Sequence, residues 1–344
     1  MTPTAMSMFF TSLAIGTILT LSSFHWLVAW IGLEINTMAI IPMMTKTPHP
    51  RAIEAATKYF LTQASASALM LFSCLISALQ TGEWGMNTPP SMMTNPLSLA
   101  LTMKLGLAPL HFWLPEVLQG ISLPTGLILS TWQKIPPMIL LFQISAHISL
   151  TLMVILSLTS ILIGGWGGIG QTQIRKIMAF SSIGHLGWII LILKFNPQLS
   201  IFSFALYIIM TTAMFLSLIT LSSTKMSQIS TSWTKNPALT TTAMLILLSL
   251  AGLPPLTGFL PKLLITLELV KQNMVIFATL TMLASLLALF FYLRLTYIIT
   301  LTLSPNTHGS LTLWRTNTKP YVMYSIISTM ALTLLPLAPT ILLM

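Results

Sequence analysis

Four ionisable residues stand in stretches otherwise made of apolar side chains: Glu34, Lys104, Lys134 and Lys262. One carboxylate and three amines in such surroundings suit proton transfer rather than covalent chemistry. Burial lowers an amine's proton affinity and a nearby carboxylate raises it, so making or opening a Glu–Lys pair decides whether the proton stays. Arginine could not serve, because it stays protonated in proteins. His185, in Ser181-Ser182-Ile183-Gly184-His185-Leu186-Gly187, and His111 are candidate relays, since imidazole titrates near neutral pH. Ser130, Thr131, Gln133, Thr211 and Thr212 could support water along such a file, or equally bond from helix to helix. A structural alternative stays open for each group: Glu34 tied to one lysine as helix glue, Lys262 reaching an interface, and His185 joining two helices.

The elements that carry these residues are written in the composition. Of 344 residues 55% are hydrophobic and 6% charged, whereas a soluble domain needs roughly a quarter charged to cover its surface. Apolar runs long enough to cross a hydrocarbon layer of about 30 Å recur from end to end. They give an all-α, polytopic transmembrane helical bundle of about eleven spans, near residues 4–21, 26–44, 55–79, 97–114, 123–143, 149–168, 176–194, 199–221, 238–268, 274–299 and 322–342. In lipid the backbone must satisfy itself within each segment, which requires helices. The first span has no basic leader and no small-residue cleavage site, so it is expected to be retained.

A net charge of +10 arises from 15 Lys and Arg against five Glu, with no Asp. Nucleic-acid binding would need basic residues gathered on one solvated face, and these are scattered singly. With the amino terminus on the insertion side, Lys46, Arg51, Lys58, Arg175, Lys176, Lys225, Lys235, Arg294, Arg315 and Lys319 fall there, and only Lys194 and Lys271 fall opposite. Ten against two satisfies the positive-inside rule and agrees with an odd number of spans. The remaining three, Lys104, Lys134 and Lys262, lie within spans, where a central charge costs roughly 2.5 to 3.5 kcal/mol on insertion scales.

An internal echo points to a site. Gly106-Leu107-Ala108-Pro109-Leu110-His111-Phe112-Trp113-Leu114-Pro115 agrees at six of ten positions with Gly252-Leu253-Pro254-Pro255-Leu256-Thr257-Gly258-Phe259-Leu260-Pro261, at an offset of 252 − 106 = 146. Gly and Pro in mid-span break a helix. Five spans separate the copies, so they cross in opposite directions, as in the inverted repeats of transporters, whose paired discontinuous helices mark the transport site. Two unrelated proline kinks are the plainer alternative. Gly165-Trp166-Gly167-Gly168-Ile169-Gly170 spells a dinucleotide-binding G-x-G-x-x-G, but it follows no strand and ends a hydrophobic helix, so close helix packing and a tight turn are expected instead. The single cysteine, Cys74, cannot form an internal disulfide or ligate an iron–sulfur cluster alone. No metal-ligand spacing, nucleophile elbow or catalytic dyad is evident, and the 23 Met read as packing and lipid-facing material.

Six segments together resemble a known family: His25-Trp26-Leu27 through Glu34-Ile35-Asn36; Pro50-Arg51-Ala52 through Lys58-Tyr59-Phe60-Leu61-Thr62-Gln63; Lys104-Leu105-Gly106 through Pro115-Glu116; Gly164-Gly165-Trp166-Gly167-Gly168 with Gln171-Thr172-Gln173; Arg175-Lys176-Ile177-Met178-Ala179; and Gly252-Leu253-Pro254-Pro255 through Pro261-Lys262. They are similar to the antiporter-like membrane-arm subunits of mitochondrial NADH–ubiquinone oxidoreductase, respiratory complex I, in their vertebrate form. The resemblance implies one antiporter-like domain over 1–344, with a truncated first repeat (1–143), a second repeat (149–299) and a C-terminal span (322–342), the first three helices of longer bacterial relatives being missing. It implies that Glu34, Lys104, Lys134 and Lys262 occupy the family's proton-translocating positions. It further implies a subunit of a proton-translocating enzyme whose redox chemistry lies elsewhere, with no cofactor or metal in this chain. The implied partners are other membrane-arm subunits, neighbouring antiporter-like subunits among them, accessory subunits and lipids such as cardiolipin; the implied location is the mitochondrial inner membrane. A stand-alone cation/proton antiporter and a structural membrane subunit without its own proton path are the competing readings.

Overall fold

The computed structural model describes residues 2–46, 48–86, 91–234, 236–301 and 322–337. The described residues are built of helices: α1 (Pro3–Ser22), α2 (Trp26–Met44), α3 (Pro50–Thr81), α4 (Ser91–Leu105), α5 (Trp113–Gly120), α6 (Leu123–Ser130), α7 (Ile135–Ile144), α8 (Leu150–Ile169), α9 (Ile174–Leu193), α10 (Pro197–Thr220), α11 (Met226–Ser230), α12 (Pro237–Ala251), α13 (Phe259–Lys271), α14 (Val275–Leu301) and α15 (Val322–Thr333). Seven of them, α1, α2, α3, α8, α9, α10 and α14, are long and apolar enough to cross a membrane. The shortest has 19 residues, about 28 Å of helix at 1.5 Å per residue.

Helix boundaries follow local chemistry. Proline stands in the first turn of α1, α3, α6, α7, α10 and α12, where its missing N–H has no helical partner to lose. The imidazoles of His25 and His49 accept from the backbone N–H groups of Leu27 and Arg51 and so cap α2 and α3. Asn196 Oδ1 does the same for α10 through Leu199 N–H at 3.1 Å. Because α3 starts at Pro50, Arg51 lies on its first turn rather than in a loop, and Lys58 follows within the same helix.

Three expected spans are interrupted. Segments 97–114 and 238–268 divide into α4/α5 and α12/α13 at the Gly-Leu-x-Pro runs, as expected. The break in 123–143 was not: a three-residue 3₁₀ turn, Trp132–Lys134, separates α6 from α7. Its cause is the pair Pro136-Pro137, which deletes both N–H groups that could close a turn on the Gln133 carbonyl. Of the expected span 322–342, α15 covers the first part; its last residues, like Lys235, Arg315 and Lys319, lie outside the described residues.

The chain divides into two compact units, Met1–Ser160 and Ile161–Met344. In the first, α1 meets α2 so closely that a Cβ on Gly16 would lie 2.9 Å from the Gly32 carbonyl oxygen, and α3 packs on α4 and α5. The loops after α1 and α3 are zipped by Trp26 N–H to the Trp84 carbonyl at 3.1 Å and Met86 N–H to that of Phe24 at 3.2 Å. In the second unit the loops after α8 and α10 are joined in the same manner, by Ile174 N–H to Thr224 and Met226 N–H to Thr172. The glycine run of α8 packs helices together. A Cβ at Gly164 would meet the Gly184 nitrogen at 2.7 Å, one at Gly165 the Leu287 Cβ at 2.7 Å, and one at Gly168 the Phe291 ring at 2.7 Å. Gly170 has nothing within 4 Å of such a Cβ.

Gly164→Ala is therefore expected to destabilise the second unit by about 1–3 kcal/mol, as overpacking against backbone does, while Gly170→Ala in the same run leaves stability unchanged. Thermal unfolding in detergent of the two variants side by side measures the difference.

Candidate functional site

The two Gly/Pro interruptions are built alike. Gly106, at φ 80°, ends α4, and Leu107 N–H donates to the Thr102 carbonyl at 3.1 Å. Gly252, at φ 84°, ends α12, and Leu253 N–H donates to the Leu248 carbonyl at 3.4 Å. This is the six-to-one bond of a glycine-terminated helix, in which only a residue without a Cβ takes the left-handed turn freely. Downstream, Leu114 N–H donates to His111 at 3.0 Å as α5 begins, and Leu260 N–H to Thr257 at 3.2 Å as α13 begins. Every one of these positions has its counterpart 146 residues on.

The lysines do not share that register. Lys104 falls opposite Leu250 (104 + 146) and Lys262 opposite Glu116 (262 − 146). They nevertheless stand at the same kind of place. Lys104 lies on the last turn of α4, and Lys262, on the first turn of α13, reaches back to donate from Nζ to the carbonyl of Ala251, the last residue of α12, at 2.7 Å. A helix C-terminus carries about half a negative charge, so the Lys262 ammonium stands at the negative end of α12, while Lys104 is carried by the last turn of α4 itself. Gly252 makes room for this, because a Cβ there would come within 2.9 Å of Lys262 Nζ.

In the first unit the carboxylate and amine chosen from sequence do meet. Lys104 Nζ is 4.0 Å from Glu34 Oε1, with side-chain exposures of 3% and 22%. Neither atom has a hydrogen bond among the described residues. The other carboxylate oxygen, Oε2, accepts from Thr37 Oγ1 at 3.1 Å. Glu34 also borders an open, mostly apolar recess lined by Met8, Phe9, Trp30 and Ile35. Lys134, buried at 3% exposure, closes the 3₁₀ turn ahead of α7. His111 lies within the break: its Nδ1–H donates to the Pro109 carbonyl at 3.2 Å and its ring leans on Phe112.

In the second unit His185 and Lys262 border one cavity of about 20 Å³ together with Ser181, Gly184 and Tyr292, room for about a single water. The Tyr292 hydroxyl and His185 Nε2 are 3.5 Å apart, and the rings of His185 and Tyr207 are 6.0 Å apart. Tyr207 and Tyr292, each 1% exposed, were not singled out from sequence. The available signal was a hydroxyl in mid-span, which is costly to bury unless bonded. Also missed was Glu116, on the first turn of α5, which takes a hydrogen bond from Lys58 at 2.6 Å, while Lys58 pairs with Glu54 at 2.6 Å. These three are roughly half exposed, and such pairs contribute little.

An all-helical membrane protein whose interrupted helices hold buried amines is the class that fold and site define. Residues 23–288 match the family described as NADH:quinone oxidoreductase/Mrp antiporter, TM, and residues 289–342 match the NADH dehydrogenase subunit 2 C-terminus. The NADH-ubiquinone oxidoreductase chain 2 of Aquarana catesbeiana is 73% identical over 100% of both chains. That of Xenopus laevis is 58% identical over 98% of this chain and 99% of its own, and that of Gallus gallus 55% identical over 97% and 96%. The chain belongs to the NADH-ubiquinone oxidoreductase chain 2 family. Its fold is shared with a chain in the respiratory complex I of Thermus thermophilus (TM-score 0.83, 24% identity, 96% of this chain and 79% of that one). It is also shared with a chain of the Mrp complex of Dietzia sp. (TM-score 0.81, 18% identity, 96% and 74%).

Gly252→Ala places a methyl group against the Lys262 ammonium, whereas Gly82→Ala meets only backbone strain, since its φ is 73° and nothing lies within 4 Å. Combined with Lys262→Met in a double-mutant cycle, Gly252→Ala is expected to show a coupling of about 0.5 kcal/mol or more and Gly82→Ala none, read from thermal unfolding.

Proposed function

We propose that this chain is a proton-translocating membrane-arm subunit of respiratory complex I, coupling electron transfer from NADH to ubiquinone in other subunits to proton movement through buried Glu34, Lys104, Lys134 and Lys262. The observation that carries the proposal is the Glu34–Lys104 pair: a half-buried carboxylate and a buried amine 4.0 Å apart, with neither facing oxygen nor nitrogen held by a hydrogen bond. A stability device would be closed and saturated, because an ion pair repays desolvation only with good geometry and its remaining hydrogen bonds made. A pair this open changes its proton affinity with a small shift of either helix.

Lys262 supports the same reading in the second unit. Its countercharge is a helix end rather than a carboxylate, so proton loss leaves no unpaired acid behind. His185 shares its cavity and is the relay this proposal assigns there; His111, bonded within its own turn, is the weaker relay. The proposed architecture is an antiporter-like domain of about eleven spans, with an inverted repeat over 1–143 and 149–299 and a C-terminal span at 322–342. The like-built breaks 146 residues apart support that repeat. Proposed partners are the other membrane-arm subunits, adjacent antiporter-like ones included, accessory subunits and cardiolipin, in the mitochondrial inner membrane.

Lys104→Met, Lys134→Met and Lys262→Met, introduced singly into the assembled complex, are expected to lower proton uptake per NADH oxidised in proteoliposomes at least about tenfold. NADH oxidation by ferricyanide and the amount of assembled complex should stay unchanged. Normal proton uptake in all three variants would leave a scaffold role, and ion exchange by this chain reconstituted alone would favour a stand-alone antiporter.

A further inference from the structure

The third interruption has a construction of its own, and it centres on Gln133. Its main-chain carbonyl lies ahead of Pro136 and Pro137, the two residues whose N–H groups would otherwise accept the role of turn donors. No neighbouring turn can therefore satisfy it. Its side chain is fixed at one end and open at the other. Nε2 donates to the hydroxyl of Tyr59, a wholly buried residue of α3, at 3.0 Å, while Oε1 is buried with no hydrogen-bond partner among the described residues. Lys134 follows directly, at 3% exposure.

We propose that Gln133 is a positioning residue for Lys134. The Tyr59 hydrogen bond pins the 3₁₀ turn against α3, and the turn then presents two acceptors, the freed carbonyl and Oε1, to the lysine and to any water it binds. The inference rests on the proton-transfer reading of Lys134 given above. Two prolines and one amide thereby do for Lys134 what the end of α12 does for Lys262: they place oxygen dipoles beside an amine that must give up and regain a proton. Tyr59 also lies within electrostatic reach of Glu34.

Pro137→Ala in the assembled complex is the deciding experiment. Alanine restores an N–H for the Gln133 carbonyl and favours helix over proline, so the variant should assemble at least as well as the parent. It is expected to lower the turnover number for coupled NADH oxidation and proton uptake about five- to tenfold, the change that follows from one lost hydrogen bond, with KM for NADH and for quinone unmoved. Gln133→Leu and Tyr59→Phe should each do the same, and the double variant should fall no further than either single one. Unchanged turnover in Pro137→Ala, its failure to assemble, or additive losses in the double variant would each overturn the proposal. If Lys134→Met itself pumps normally, the proton-transfer reading fails. If Lys134→Met is inactive while Pro137→Ala and Gln133→Leu are normal, only the positioning role falls.

Discussion

A backbone that stops being helical inside a membrane releases carbonyl groups that lipid cannot satisfy. In this chain the amines stand where that happens. Lys262 donates to the last carbonyl of α12, Lys104 lies on the last turn of α4, and Lys134 closes a turn whose carbonyl at Gln133 has lost both helical donors to proline. The arrangement answers two costs at once. A charged amine in an apolar interior needs partial negative charge nearby, and an interrupted helix needs a donor. Each supplies what the other lacks, and at Lys262 the bonded partner is the last carbonyl of α12.

The surrounding helices are correspondingly close-packed. The glycines of α8 bring Gly184, Leu287 and Phe291 within contact, and Gly16 and Gly32 bring α1 onto α2. Helix association in lipid has little hydrophobic driving force and depends on such small-residue contact. Polar strain is left at the buried pair instead, where Glu34 Oε1 and Lys104 Nζ face each other across 4.0 Å. That combination of stiff frame and underbonded centre lets a sub-ångström change of a helix alter a proton's affinity without unfolding anything.

Much of this was legible in the residues. The long apolar runs announce helices, and seven of the eleven expected spans coincide with uninterrupted helices. The Gly-Leu-x-Pro frame located two of the breaks, since glycine and proline act through the local backbone and need no tertiary partner. The third break was equally written in Pro136-Pro137, inside the expected span 123–143, where both helical donors to the Gln133 carbonyl are missing. Arg51, outside the expected span 55–79, proved to lie on the opening turn of α3 because His49 caps that helix earlier than hydropathy suggests.

By itself, the order of side chains determined which groups can titrate, which segments lie in lipid, and where the backbone must break, because each depends on covalent structure and on neighbours a few residues away. Folding alone decided the pairings: Lys104 with Glu34, separated by 70 residues (104 − 34); Gln133 with Tyr59; and His185 and Tyr292 around one small cavity with Lys262. Those contacts depend on how helices rotate and pack against each other, and a helix rotated by one residue, about 100°, would carry its side chain away from its partner. Spacing along the chain carries no record of that angle.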